Sequence, residues 1–156
     1  YTQPPLAYYR LCIESARAHV GIERVILVYE SEDNPCVPAL KASLGEIGLP
    51  FAVQSGTLPE DLGVLLAANH VVLGRGTFGL AIALLSTHLR TLFHSWLQPD
   101  FGSIAEATGV QRVSVTDVAG GYIKVGDWCN TPEQRRMMLD YPIENLRIEA
   151  GRATAE

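Results

Sequence analysis

Short apolar runs rich in β-branched residues alternate with segments of helical periodicity from Pro4 to Phe93. That alternation restricts the chain to a layered α/β domain. Arg24-Val-Ile-Leu-Val-Tyr29 is a continuous apolar run, the pattern of a strand buried on both faces of a parallel sheet. Phe51-Ala-Val-Gln54, His70-Val-Val-Leu73 and Arg90-Thr-Leu-Phe93 predict three more strands. The first helix spans Pro4 to Val20, with both prolines in its first turn and Leu6, Tyr9, Ile13, Ala16 and Val20 at helical spacing, and Gly21 ends it. A second starts at Asn34 with Pro35 in its first turn and stops at Gly48. Thr57-Leu-Pro-Glu60 has capping-box spacing and opens a third, and Thr77 caps a fourth running to about Ser86. The expected fold class is α/β, a Rossmann-like layered domain with a mostly parallel sheet.

Beyond Trp96 the pattern loosens. Leu97 to Gly102 reads as a loop, Ser103 to Ala107 as a helical turn and Arg112 to Val115 as a strand, before Gly120 and Gly121 break the chain. Thr131-Pro-Glu-Gln134 sets a cap, a first-turn proline and a capping-box glutamine in order, opening a helix that runs to about Tyr141 and stops at Pro142. With 156 residues, 47% hydrophobic and 19% charged, the chain suits one folded domain over residues 1–150, with 151–156 as a frayed tail.

Composition narrows the function classes. A net charge of -5 argues against a nucleic-acid surface, which needs clustered Lys and Arg. Cys12, Cys36 and Cys129 form no CxxC pair or Cys/His cluster, so buried or free thiols are expected and a structural zinc site is not. His19, His70, His88 and His94 share no metal spacing and pair with no nucleophile, and GxSxG is absent. The longest apolar run, Leu80 to Leu85, is far too short to cross a membrane. No signal peptide is visible, and the chain starts at Tyr1 without a Met, so compartment stays open between cytoplasm and secretory pathway (Golgi).

The stretch from Asp61 to Ser86 carries the chemistry: helix, strand, Gly74-Arg75-Gly76-Thr77-Phe78, helix. A parallel strand delivers the chain to the carboxyl edge of its sheet, where α/β domains bind ligands. Gly74 and Gly76 allow a sharp turn and close approach. The next helix begins with unpaired N–H groups and a positive dipole end, both favouring phosphate. Arg75 adds a guanidinium suited to diphosphate oxygens, and Thr77 a hydroxyl donor. An ordinary strand-to-helix turn with Thr77 as a plain cap fits the same spacing. Gly79 is read as standing too early for the third glycine of a dinucleotide fingerprint, and without Gly-Lys-Ser/Thr the turn is no Walker loop.

Two further loops fall at the same predicted edge. Gln54-Ser55-Gly56-Thr57 offers polar groups to a sugar or ribose hydroxyl, or is a capped turn. Glu30, Glu32 and Asp33 follow the first strand, placed either to meet a nucleoside or a metal or to stand as solvated loop acids, and no DxD pattern is present. Asp61 either favours the helix dipole or accepts hydrogen bonds from a purine edge. Trp96, Tyr122 and Trp128 line an acceptor groove or pack in the core.

Asp61-Leu62, His70-Val-Val-Leu73, Gly74-Arg-Gly-Thr-Phe78 and Leu84-Leu85-Ser86 together resemble a motif of the α-1,2/α-1,6-fucosyltransferase superfamily: an acidic residue in a helix, a hydrophobic strand, then a small-residue Ser/Thr-Phe turn. The Tyr8-Tyr9 helix, the strand ending Tyr29-Glu30 before Asp33, and Trp128-Cys-Asn-Thr-Pro-Glu-Gln-Arg135 are also similar to segments of those enzymes. The resemblance covers most of Gln3 to Tyr141 and is specific around Gly74 to Phe78. It implies the C-terminal half of a GT-B glycosyltransferase, metal-independent and without a cofactor, using a nucleotide-sugar donor, usually GDP-fucose, and a glycan acceptor. By motif match, Asp61 meets the guanine or its neighbourhood, and Gly76, Thr77 and Phe78 lie against the donor pyrophosphate. The family's HxRxGD motif belongs ahead of the Tyr-Tyr helix, so an N-terminal half-domain is the implied partner, and this chain alone is expected to be inactive. Arg75 and Gly76 replace the more usual Asn or Ser. The alternative is a non-catalytic α/β interaction domain with a vestigial nucleotide pocket.

Overall fold

The alternation is realised as a mixed α/β fold. The computed structural model describes residues 2–76, 78–98, 108–122 and 128–150. Within them the chain runs α1 (Leu6–His19), β1 (Val25–Val28), α2 (Cys36–Glu46), β2 (Phe51–Gln54), α3 (Leu58–Ala67), β3 (His70–Val72), α4 (Phe78–Leu85), β4 (Thr91–Ser95), β5 (Gln111–Asp117), α5 (Pro132–Asp140), a 3-10 turn (Ile143–Asn145) and β6 (Leu146–Ala150). The helical turn expected over Ser103 to Ala107, the tail 151–156 and Thr77 lie outside the described residues.

The strands form two sheets, β1-β2 and β3-β4-β5-β6. All neighbours are parallel except β5 and β6, where Val113 stands beside Ala150 and Asp117 beside Leu146. The mostly parallel sheet is thus present and compatible with Rossmann-like layering. The antiparallel β6 was not expected from sequence. Its signal is only the alternation of Leu146 and Ile148 with Arg147 and Glu149, too short to stand out.

Helix α1 joins the layers. Tyr8, Cys12 and Ala16 enter one core cluster with Phe93, Val113, Val115, Tyr122 and Tyr141. Ile13 enters another with Leu40, Leu44 and Leu49, on which Val25 and Leu27 pack. A third cluster seals β3 and β4 against α4 through Val71, Leu73, Ile82, Ala83 and Leu92. Pro4 and Pro5 do not form the helix's first turn as expected: Pro5 is its extended N-cap (ψ 161°), and both rings are fully buried. Gly21 ends α1 at φ 69°, its N–H donating to Ala16 O at 3.1 Å, a left-handed stop that glycine alone takes without penalty.

Two other expectations are corrected, and a third is met. β1 is not buried on both faces: α1 and α2 cover Val25 and Leu27, while Ile26 on the opposite face is 40% exposed. α2 starts at Cys36, not Asn34, because the Asn34 side chain accepts the Cys36 N–H at 2.9 Å and so caps the helix from outside. α5 has the predicted capping box, Gln134 N–H donating to Thr131 Oγ1 at 3.2 Å and Thr131 N–H to Gln134 Oε1 at 3.3 Å.

Burial sets the behaviour of several titratable groups. Loss of solvent pushes the thiols of Cys12 and Cys36 up, Cys36 to about 12. It also holds the Tyr8 and Tyr122 phenols well above their usual range. The unfolded chain ionises these phenols near pH ~10, so above that pH the folded state holds more protons than the unfolded state. The stability they contribute is complete below about pH 10 and is lost as pH rises further. Each tyrosine so held costs roughly 1.4 kcal/mol per pH unit in that range. Thermal melts should show a Tm that falls steadily as pH rises from about 10 to 12.

Candidate functional site

A single rim of the fold gathers the candidate residues. Gly21 to Arg24 ahead of β1, Pro50 ahead of β2 and His70 at the head of β3 line one open hollow, so these three strands begin at a common edge. Their carboxyl ends, followed by Glu30, Ser55 and Gly74, therefore face the other way. The hollow lies at the opposite rim from the Gly74 turn and is not where the candidate residues stand. Burial of the His70 ring there, with Arg90 nearby, disfavours its protonated form.

β3 runs directly into the turn. Leu73 N–H donates to Phe93 O at 3.0 Å, continuing the ladder one residue past β3 before Gly74 breaks away. The three glycines stand at 74, 76 and 79, which is the G-x-G-x-x-G spacing itself. The reading of Gly79 as too early is therefore corrected. Geometry gives that residue the part a third glycine plays, letting helix and strand pack closely: a Cβ at 79 would come 2.4 Å from Leu73 Cδ1. Gly74 is also crowded, its missing Cβ lying 3.3 Å from both Gln3 Oε1 and the Tyr9 hydroxyl. Gly76 differs. It has φ 153°, and no described atom lies within 4 Å of where its Cβ would be.

These packing differences are testable. Gly79→Ala forces Leu73, itself 5% exposed, out of its place in the core, and overpacking of this kind costs about 1–3 kcal/mol. Urea unfolding should show that loss, together with an unchanged m-value.

Side chains from remote parts of the sequence hold the turn. Gln98 Nε2 donates to the Gly74 carbonyl. Arg75 N–H donates to Gln3 Oε1 at 3.0 Å, and Gln3 Nε2 donates back to Arg75 O at 3.5 Å. The Arg75 guanidinium reaches Thr2 O at 3.4 Å. Gln3 is held in turn, its carbonyl accepting the Tyr122 hydroxyl at 2.7 Å. Tyr122 N–H donates to Asp117 Oδ2 at 3.0 Å, and Tyr141 OH to Asp117 Oδ1 at 2.7 Å. None of Gln3, Gln98, Asp117 or Tyr122 was a candidate binding residue from sequence, except Tyr122 as an aromatic. Tyr122 is 1% exposed and packs edge-on against Trp96 and Tyr141, so the core reading holds for it.

The remaining candidates fall on separate loops along the rim. In the β2–α3 turn, Asp61 Oδ1 accepts from Gln54 Nε2 at 3.0 Å and from Gly56 N–H at 3.1 Å. Asp61 thus closes its own turn, with Ser55 exposed on it. Glu60 Oε2 accepts both the N–H and the hydroxyl of Thr57, which favours its carboxylate form. Glu30 is exposed at the end of β1. Its neighbour Glu32 is drawn to Lys41 Nζ at 2.5 Å and to the Tyr29 hydroxyl at 2.7 Å. Such an exposed pair orders the loop and adds little stability. Gly74, Arg75, Gly76 and Phe78 are contiguous, and Phe78 is 49% exposed at the head of α4. Thr77 lies outside the described residues.

Chemically, the turn offers an arginine and the start of an apolar helix to an anion. Among the described residues no group of three or more His, Cys, Asp and Glu gathers to hold a metal, and no helix is long and apolar enough to cross a membrane. No protein-family model matches the chain, and neither does any curated protein or solved structure.

Proposed function

We propose that this domain is the donor-binding half of an inverting, metal-independent glycosyltransferase, a fucosyltransferase-like chain in the C-terminal position of a GT-B fold. The observation that carries the reading is the glycine triad at 74, 76 and 79, two in the turn after β3 and the third in the first turn of α4. Packing requires the third, Gly74 stands close to Gln3 and Tyr9, and Gly76 has no described atom within 4 Å of its Cβ position. The diphosphate of a nucleotide sugar would lie against Gly76, Thr77 and Phe78, with Arg75 stabilising the departing charge. Glu30 after β1, Ser55 and Gly56 after β2, and Asp61 in the first turn of α3 are the candidates for base, ribose and sugar. GDP-fucose is the proposed donor and a glycan hydroxyl the acceptor. The base that activates the acceptor would come from the N-terminal half across the cleft.

A specific observation favours the second reading, a non-catalytic interaction domain. Arg75 N–H, a backbone donor of the same turn, is engaged by Gln3 and is not offered to a phosphate, which leaves only the backbone from Gly76 onward. Calorimetric titration of the chain with GDP, using UDP, ADP and NAD as controls, tests the choice. NAD is included because the triad shares its spacing with dinucleotide sites. Selective GDP binding supports the donor site. Silence toward every nucleotide, both here and in a form extended upstream, overturns it in favour of the interaction domain.

A further inference from the structure

We infer that Tyr122 and Gln3 are positioning residues that set the Gly74–Gly76 turn in its ligand-receiving shape, an inference that rests on the donor-site reading. The geometry is a chain of contacts from the far side of the sheet. Asp117 ends β5 and accepts four hydrogen bonds: from the N–H groups of Ala119, Gly120 and Tyr122, and from the Tyr141 hydroxyl. This fixes the turn after β5 and with it the Tyr122 backbone. The Tyr122 ring, wedged edge-on between Trp96 and Tyr141, has its hydroxyl 2.7 Å from the Gln3 carbonyl. With its main chain so anchored, and Pro4 and Pro5 buried behind it, the Gln3 carboxamide clasps both the N–H and the C=O of Arg75.

The Arg75 N–H lies in the peptide joining it to Gly74 and the Arg75 C=O in the peptide joining it to Gly76, so the amide clasp ties two successive peptide planes. The second of them precedes Gly76, whose φ of 153° is a conformation that most residues avoid and that glycine can leave easily. Without the clasp the Arg75–Gly76 peptide samples other orientations, and a diphosphate must order it on binding. That ordering lowers affinity. The clasp works at a distance, so neither Tyr122 nor Gln3 need touch the ligand.

The test uses the full chain with Tyr122→Phe, which keeps the ring and removes only the hydroxyl, and with Gln3→Ala as a second variant. Two quantities are read: amide hydrogen exchange over residues 74–76 and GDP affinity by calorimetry. Faster exchange at the turn in both variants, with GDP binding weakened about fivefold by the loss of one ordered hydrogen bond, is the expected result. Unchanged exchange overturns the clasp, whatever GDP does. Faster exchange with unaltered affinity overturns the positioning role and leaves the clasp as a structural tie. If neither the parent chain nor a form extended upstream binds GDP, the donor-site reading fails and the positioning role falls with it, whereas exchange still reports on the clasp itself.

Discussion

Replacing Tyr8 by Ala is expected to destabilise the domain by about 3–5 kcal/mol, the range for removing a buried aromatic side chain. Tyr8 is 0% exposed and sits where α1 crosses the carboxyl ends of β3 and β4. Its hydroxyl lies 2.9 Å from Leu73 O and 3.2 Å from Phe93 O, so one proton is shared between two carbonyls at the point where the strands separate. Tyr8→Phe keeps the packing and removes the hydroxyl donor to Leu73 O, while Phe93 O retains the Leu73 N–H, at about 1–3 kcal/mol. For a domain of this size each kcal/mol lowers Tm by roughly 2–4 °C, so melting curves separate the variants. If Tyr8→Phe costs as much as Tyr8→Ala, the hydroxyl dominates over the ring. If Tyr8→Phe costs nothing, the hydrogen bonds add no stability.

The second large effect concerns binding. Arg75→Ala should weaken GDP binding by about 1.5–3 kcal/mol, the strength of a charge-assisted hydrogen bond, or roughly 10–150-fold. Removing the Thr77 hydroxyl as well should deepen the loss. Arg75 is exposed, its guanidinium reaching Thr2 O, and its backbone contacts with Gln3 are kept in the alanine variant, so the fold should survive, and an unchanged Tm serves as the control. Titration of the variants against GDP decides the matter, and equal affinity in parent and variants would remove Arg75 from the donor site.

Much of this layout was legible in the sequence because it is written in local chemistry. The caps at Thr57 and Thr131, the stop at Gly21 and the runs at 51–54 and 70–73 each depend on residues a few positions apart. Gly74, Gly76 and Gly79 stand equally visible in the sequence, and the packing of Gly79 on Leu73 shows what that glycine does. What could not be read depends on distance along the chain. Gln3 meets Arg75 across 72 residues and Tyr122 meets Gln3 across 119, and no local pattern marks a side chain for a carbonyl so remote. The exposure of Ile26 escaped for a related reason: an apolar run reports that a strand can be covered on both faces, not that a helix arrives to cover it. Asp61 shows the same limit at a site, since its carboxylate serves its own turn through Gly56 and Gln54, a use as local as a purine contact would be distant.

The directions in which the two ends of the fold run have a practical consequence for anyone joining this domain to something else. Gln3 lies on the Gly74–Gly76 turn, so an unrelated tag fused ahead of it, unlike the half-domain proposed to complete the cleft, starts at the ligand rim and crowds whatever binds there. β6 leaves that rim at Leu146, beside Asp117, and heads the other way to Ala150, beside Val113. A fluorophore, affinity tag or surface tether is therefore best carried downstream, where the exit points away from the turn. A binding signal that survives a downstream fusion and vanishes with an upstream one would map the ligand to this rim with no substitution in the site.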